Sequence, residues 1–225
     1  MEVFDRIAEI GVLPVIALPT ADAAVPLADA LAAGGIGALE VTLRTPCALE
    51  GIARIRAAHP EMAVGAGTVL DAATLAAAKE AGAAFAVSPG LDPEVVTAAR
   101  SAGLPFVPGV TSPTEIIQAV RLGLLTLKFF PAESSGGVAA LKLLHGPFPN
   151  VRFLPTGGLS LANVGGYLAL PFVAACGGSF MAKADVVRSC DWAKITADCR
   201  ACLEIVRRSR GGTCGHSSAS TCSRS

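Results

Sequence analysis

The chain has 225 residues, 52% hydrophobic and 16% charged, which gives it enough apolar side chain for a sizeable core and too little charge for a disordered chain. Its 18 basic and 18 acidic residues cancel, which argues against a nucleic-acid partner that would need a basic excess. No apolar run approaches the roughly 20 residues of a membrane span, and Met1-Glu2-Val3-Phe4-Asp5-Arg6 has acidic residues before any apolar stretch, unlike a signal peptide. A soluble cytoplasmic protein is expected, partnered by neither membrane nor nucleic acid.

Along the chain, short apolar runs alternate with Ala-rich amphipathic stretches. After a short first helix, the pattern predicts strand Leu13–Leu18, helix Ala21–Ala33, strand Ala38–Thr42 and helix Pro46–His59. Strand Ala63–Ala66, helix Asp71–Ala81, strand Ala84–Ser88 and helix Asp92–Ala102 follow. Then come strand Phe106–Pro108, helix Ser112–Leu122, strand Leu124–Phe129, helix Gly136–Leu144, strand Arg152–Leu154 and helix Ser160–Leu168. Strand Phe172–Ala175 and a last helix over Asp191–Arg207 complete the series. Asp71, Asp92, Ser112, Ser160 and Asp191 stand where N-caps belong, and Gly35, Gly82, Gly103 and Gly123 stand where helices should stop.

Strands alternating with helices about every 25 residues are the signature of an α/β fold of the (β/α)8 TIM-barrel type. The competing open doubly wound sheet would show a G-x-G-x-x-G turn after its first strand, and this chain has none there. A single domain over residues 1–207 is expected, with a Gly/Ser-rich flexible tail over 208–225 that lacks apolar periodicity.

A barrel places its reactive groups at the C-terminal strand ends. Lys128 ends an apolar run, Leu122 to Phe130, and is followed by Phe129-Phe130-Pro131-Ala132-Glu133. Desolvation disfavours an ammonium and so favours the neutral, nucleophilic amine that forms a Schiff base with a ketone. The plainer alternative is a lysine whose head snorkels to water from the strand rim. Glu40 lies inside the apolar run Leu39 to Leu43, where a buried carboxylate needs a cationic partner, Lys128 or Arg44. That suits a proton-transfer group, and equally a structural ion pair. Arg44 offers a bidentate fork for a substrate carboxylate, or is a surface loop arginine. Val64-Gly65-Ala66-Gly67-Thr68 brings backbone and a hydroxyl close to a ligand, or makes a tight turn. Glu133 is expected to favour the dipole of the following helix. Gly157-Gly158 and Gly177-Gly178 follow the seventh and eighth strands, where barrels commonly bind phosphate through backbone N–H groups.

Seven cysteines form no evident disulfide framework. Cys199 and Cys202 have a C-x2-C spacing, with Cys214, His216 and Cys222 beyond them. The first pair belongs to a helical pattern and the spacing fits no common zinc motif, so no metal and no cofactor is expected. A metal-dependent enzyme would need clustered His, Asp or Glu ligands at strand ends, where none of His59, His145 and His216 stands. A non-catalytic phosphosugar-binding barrel would need no reactive lysine.

Leu39-Glu40-Val41-Thr42-Leu43-Arg44-Thr45, Val64-Gly65-Ala66-Gly67-Thr68-Val69-Leu70, Ser88-Pro89-Gly90, Lys128-Phe129-Phe130-Pro131-Ala132-Glu133 and Pro155-Thr156-Gly157-Gly158 together resemble the 2-keto-3-deoxy-6-phosphogluconate (KDPG) aldolases of the Entner–Doudoroff pathway. The resemblance implies a class I aldolase, a homotrimer of barrels without a metal, acting on a phosphorylated keto acid to give pyruvate and glyceraldehyde 3-phosphate. It implies that Lys128 forms the Schiff base and Glu40 shuttles protons. Arg44 and Thr68 would hold the pyruvate carboxylate, Phe130 would pack in the pyruvate pocket and Thr156 would line the site. Gly157, Gly158, Gly178 and Ser179 would take the phosphate. Some members also act on 4-hydroxy-2-oxoglutarate, and close relatives on the galactonate epimer. Ala182-Lys183, where many relatives have an apolar residue and a proline, departs from the pattern.

Overall fold

The computed structural model describes residues 3–211. Nine strands are β1 (Val12–Ile16), β2 (Ala38–Thr42), β3 (Ala63–Gly67), β4 (Phe85–Val87), β5 (Phe106–Val107), β6 (Gly109–Val110), β7 (Thr126–Phe129), β8 (Arg152–Pro155) and β9 (Cys176–Gly178). The helices are α1 (Val3–Ile10), α2 (Ala24–Ala33), α3 (Ala48–Ala58), α4 (Ala72–Glu80), α5 (Pro93–Ala102), α6 (Pro113–Arg121), α7 (Gly137–His145), α8 (Val164–Leu168), α9 (Ala184–Arg188) and α10 (Trp192–Gly211). Among the described residues, no helix is long and apolar enough to cross a membrane.

All strand pairs are parallel, in a six-stranded sheet ordered β5-β4-β3-β2-β1-β9 and a three-stranded sheet ordered β6-β7-β8. Single bridges, Phe153 to Val173 and Thr156 to Gly177, connect β8 with the chain around β9. The sheet is curled. Leu13, Ala38, Ala63, Phe85, Val87 and Leu154, from strands around the curve, and Ala175, just before β9, meet in one small apolar cluster with Ile7 of α1. Phe4 of α1 packs edge-on against Phe85 at 5.5 Å. The larger core lies on the outer face, between strands and helices, and includes Leu39, Val41, Leu127 and Phe129.

Because successive residues of a strand face opposite ways, this partition fixes the direction of the polar residues. In β2, Leu39 and Val41 face the outer core, so Glu40 and Thr42 share the inner face with Ala38. In β7, Leu127 and Phe129 face out, so Lys128 faces in.

The expected strand Phe106–Pro108 ends at Val107, and a second short strand, Gly109–Val110, follows Pro108, which has no N–H to continue a ladder. Its carbonyl still accepts from the Lys128 N–H at 2.8 Å. The expected strand over Phe172–Ala175 is displaced to Cys176–Gly178, in register with Val12–Pro14 of β1. Hydropathy favours the earlier run and glycine has low strand propensity, yet a Cβ on Gly177 would lie 2.4 Å from Thr156 Oγ1, so close packing selects glycine there. A 3-10 turn over Ala21–Ala23 precedes α2. The Ser160 cap is not made: the Ser160 N–H donates to Asn163 Oδ1 at 2.8 Å, and the helix begins only at Val164. Asp71, Asp92, Ser112 and Asp191 each accept a backbone N–H of the first helical turn, as their positions predict. The five-residue α9 is too short to show a helical period in the sequence. The last helix continues past Arg207 to Gly211.

Candidate active site

The inner faces of β2 and β7 bring Glu40 and Lys128 together, 88 residues apart in the chain. Lys128 Nζ stands 3.3 Å from Glu40 Oε1, with the two residues 5% and 0% exposed. At that distance the two groups form a hydrogen-bonded ion pair. Glu40 Oε2 is buried and makes no hydrogen bond among the described residues. Lys128 Nζ also lies over the Phe130 ring, 5.3 Å from its centroid. The amine therefore has both a carboxylate and an aromatic face as near neighbours.

Glu40 fits because its neighbour on β3 has no side chain. A Cβ on Gly67 would lie 2.0 Å from Glu40 Oε1 and 2.6 Å from its Cγ. Gly67→Ala is accordingly expected to displace the carboxylate. Overpacking of this kind costs about 1–3 kcal/mol of stability, and misplacing a reacting group by about 1 Å can lower turnover on the order of a hundredfold. Urea unfolding and steady-state rates measure the two effects. Thr68, the next residue, is half-buried and holds φ at 61°. A β-branched residue in the left-handed region stores strain of order 1–3 kcal/mol, a pattern that clusters at ligand-binding turns.

The remaining candidates converge on one cavity of about 150 Å3 at the C-terminal strand ends. Arg44, Phe130, Thr156, Gly157, Gly158, Gly178 and Ser179 line it together with Val15 and Leu159. Val15 is the register partner of Glu40, which ties the cavity to the buried pair. Lys128, Glu40 and Thr68 are not among the residues that line it. Arg44 is exposed and its Nε donates to Thr42 Oγ1 at 3.2 Å. Gly157 and Gly158 have φ of 101° and 79°, which turns the chain sharply after β8. The Glu133 N–H donates to the Gly157 carbonyl at 3.1 Å, joining the loops after β7 and β8.

Glu133 is more than a helix-dipole partner. It accepts a hydrogen bond from the hydroxyl of Tyr167, a fully buried ring. Burial first, then the Glu133 carboxylate, push that phenol well above its usual range. Sequence reasoning missed this contact, and it missed Thr42. The latter was legible as a polar residue two places after Glu40, on the same strand face.

The cysteine spacing has a packing explanation. Cys199 and Cys202 are buried on α10, and burial pushes both thiols up to about 12. They are protonated, apolar core residues at neutral pH. His59 pairs with Asp29 and Glu61 at 2.8 and 3.2 Å, and His145 stacks on Phe172 at 3.7 Å. No group of three His, Cys, Asp or Glu able to hold a metal occurs among the described residues. Cys214, His216 and Cys222 lie outside them.

A family model for the KDPG and KHG aldolases matches residues 3–198. The chain is 49% identical over 196 residues to the 2-dehydro-3-deoxy-phosphogluconate aldolase of Pseudomonas aeruginosa, covering 87% of this chain and 89% of the relative. It is 48% identical over 193 residues to the KHG/KDPG aldolase of Escherichia coli, covering 86% and 91%. Among solved structures, the KDPG aldolase of Legionella pneumophila, with pyruvate captured as a covalent carbinolamine, superposes with a TM-score of 0.86 at 40% identity, covering 88% of this chain and 97% of that one.

Proposed function

The chain belongs to the KDPG and KHG aldolase family, and from that premise we propose that it is a class I aldolase. It cleaves 2-dehydro-3-deoxy-6-phosphogluconate to pyruvate and D-glyceraldehyde 3-phosphate, the carbon–carbon bond cleavage of the Entner–Doudoroff pathway. The observation that supports this reading most is the Lys128–Glu40 pair, buried together at 3.3 Å on the inner face of the curled sheet. We also read the two sheets as one closed (β/α)8 TIM barrel. Pro108 joins β5 to β6 in the chain, and the bridges at Val173 and Gly177 join β8 to the β9 region.

In the proposed reaction, Lys128 Nζ attacks the C2 ketone and water is lost to give an iminium. The C4 hydroxyl gives up its proton to Glu40 as the C3–C4 bond breaks. The bonding electrons flow into the iminium and leave an enamine, and C4 departs as the aldehyde. Protonated Glu40 returns its proton to C3, and hydrolysis of the resulting iminium frees pyruvate and the amine. One carboxylate serves in both directions because each step restores the form the next step needs.

Arg44 and Thr68 hold the carboxylate end, Phe130 packs against the pyruvyl group and Thr156 lines the site. Gly157, Gly158, Gly178 and Ser179 hold the phosphate end. Fixing the substrate at both ends orients the bond to be broken, and Arg44 and the glycine turns line one cavity in which it could lie. We take the enzyme to be a cytoplasmic homotrimer. Exposed Ile117, Val120 and Leu125 offer apolar surface for subunit contact, and light scattering should give the mass of three chains. The free cysteines among the described residues fit a reducing compartment.

The Escherichia coli relative is named for two substrates, so range is the point to test. Pyruvate release should be measured side by side from the gluconate phosphate, its galactonate epimer and 4-hydroxy-2-oxoglutarate, with and without EDTA. The gluconate phosphate should give the highest kcat/KM and EDTA should change nothing. A higher value for either competitor would reassign the enzyme to the corresponding relative.

A further inference from the structure

We propose that Thr42 is a positioning residue for Arg44, fixing its guanidinium through Nε so that only the two terminal nitrogens face the substrate carboxylate. The proposal rests on the reading of Arg44 as the carboxylate-binding residue.

Thr42 ends β2, opposite Gly67 of β3, and is 2% exposed. Its Oγ1 donates to the Ile16 carbonyl at 3.2 Å. A hydroxyl has one proton and two lone pairs. With the proton committed to Ile16, the oxygen can only accept from Arg44, whose Nε–H reaches it at 3.2 Å. The polarity of this chain is thus set from a strand carbonyl outward.

A guanidinium can grip a carboxylate through Nη1 and Nη2, or side-on through Nε and one terminal nitrogen. The Thr42 contact occupies Nε and leaves the end-on fork. Arg44 stands in an exposed turn, and the Nε contact is its one side-chain hydrogen bond among the described residues. An exposed arginine loses considerable rotamer freedom when it binds. A buried hydroxyl that already holds one end lowers that loss before substrate arrives. Thr42 shares its strand face with Glu40, so one strand supplies both the proton carrier and the anchor of the carboxylate clamp.

The test is a mutant cycle read by KM, kcat and the pyruvate concentration that half-saturates borohydride trapping. Thr42→Val should raise KM and that concentration about tenfold, the effect of losing a hydrogen bond to a charged group, with kcat within about twofold. Thr42→Ser keeps the acceptor and should restore both. In an Arg44→Ala background, Thr42→Val should add nothing to the rise already present. If valine does not fold, Thr42→Ala bears the same expectation. An equal rise in KM with and without Arg44, or a serine variant as impaired as valine, overturns the proposal. If Arg44→Ala alone leaves KM and pyruvate half-saturation unchanged, it is the carboxylate-binding reading of Arg44 that fails, and the proposal fails with it.

Discussion

Lys128→Met is expected to abolish aldol cleavage, with turnover falling on the order of 10⁴-fold or more, the scale seen when a nucleophile is removed. Methionine fills much of the space but has no amine, so no iminium forms and the C3–C4 electrons have no sink. The same change strands Glu40, which is wholly buried and has no other side-chain partner among the described residues. Breaking a buried ion pair by removing one member destabilises by roughly 3–5 kcal/mol. Circular dichroism and urea unfolding separate a folded, inactive protein from an unfolded one. Near-normal turnover in a folded Lys128→Met variant would contradict the assignment.

Glu40→Gln is expected to lower turnover by about 10²–10⁴-fold, the range for removal of a positioned general acid–base group. The amide is nearly isosteric, so Lys128 keeps a polar neighbour at about the same place, 3.3 Å from Nζ in the native pair. The amine should still add to pyruvate, more slowly. Loss of activity with trapping retained is therefore the distinguishing result. A glutamine variant with near-normal kcat would remove Glu40 from proton transfer.

Much of this site is legible in the amino-acid sequence. Lys128 and Glu40 stand out because each is charged within an apolar run, and a strand with alternate residues in the outer core must turn them inward. Arg44 and the Gly157-Gly158 turn are legible from their place after strand ends. What the sequence conceals is of two kinds. Strand ends depend on partners: β9 lies at Cys176–Gly178 because it pairs with β1, although the more apolar run is Phe172–Ala175. Contacts between distant loops have no local signal, as with the Tyr167 hydroxyl bound to Glu133. The C-x2-C spacing at Cys199 and Cys202 is a helical repeat of buried thiols, and periodicity already favours that reading.

The central claim is that Lys128 is the amine that adds to the keto acid. Incubating the protein with pyruvate and sodium borohydride, then mapping peptides by mass, tests it directly. The account predicts one reduced pyruvyl adduct, on the peptide containing Lys128, and loss of activity in step with its formation. A fully active protein that carries no adduct after this treatment, or an adduct on Lys79, Lys142, Lys183 or Lys194 instead, would contradict it.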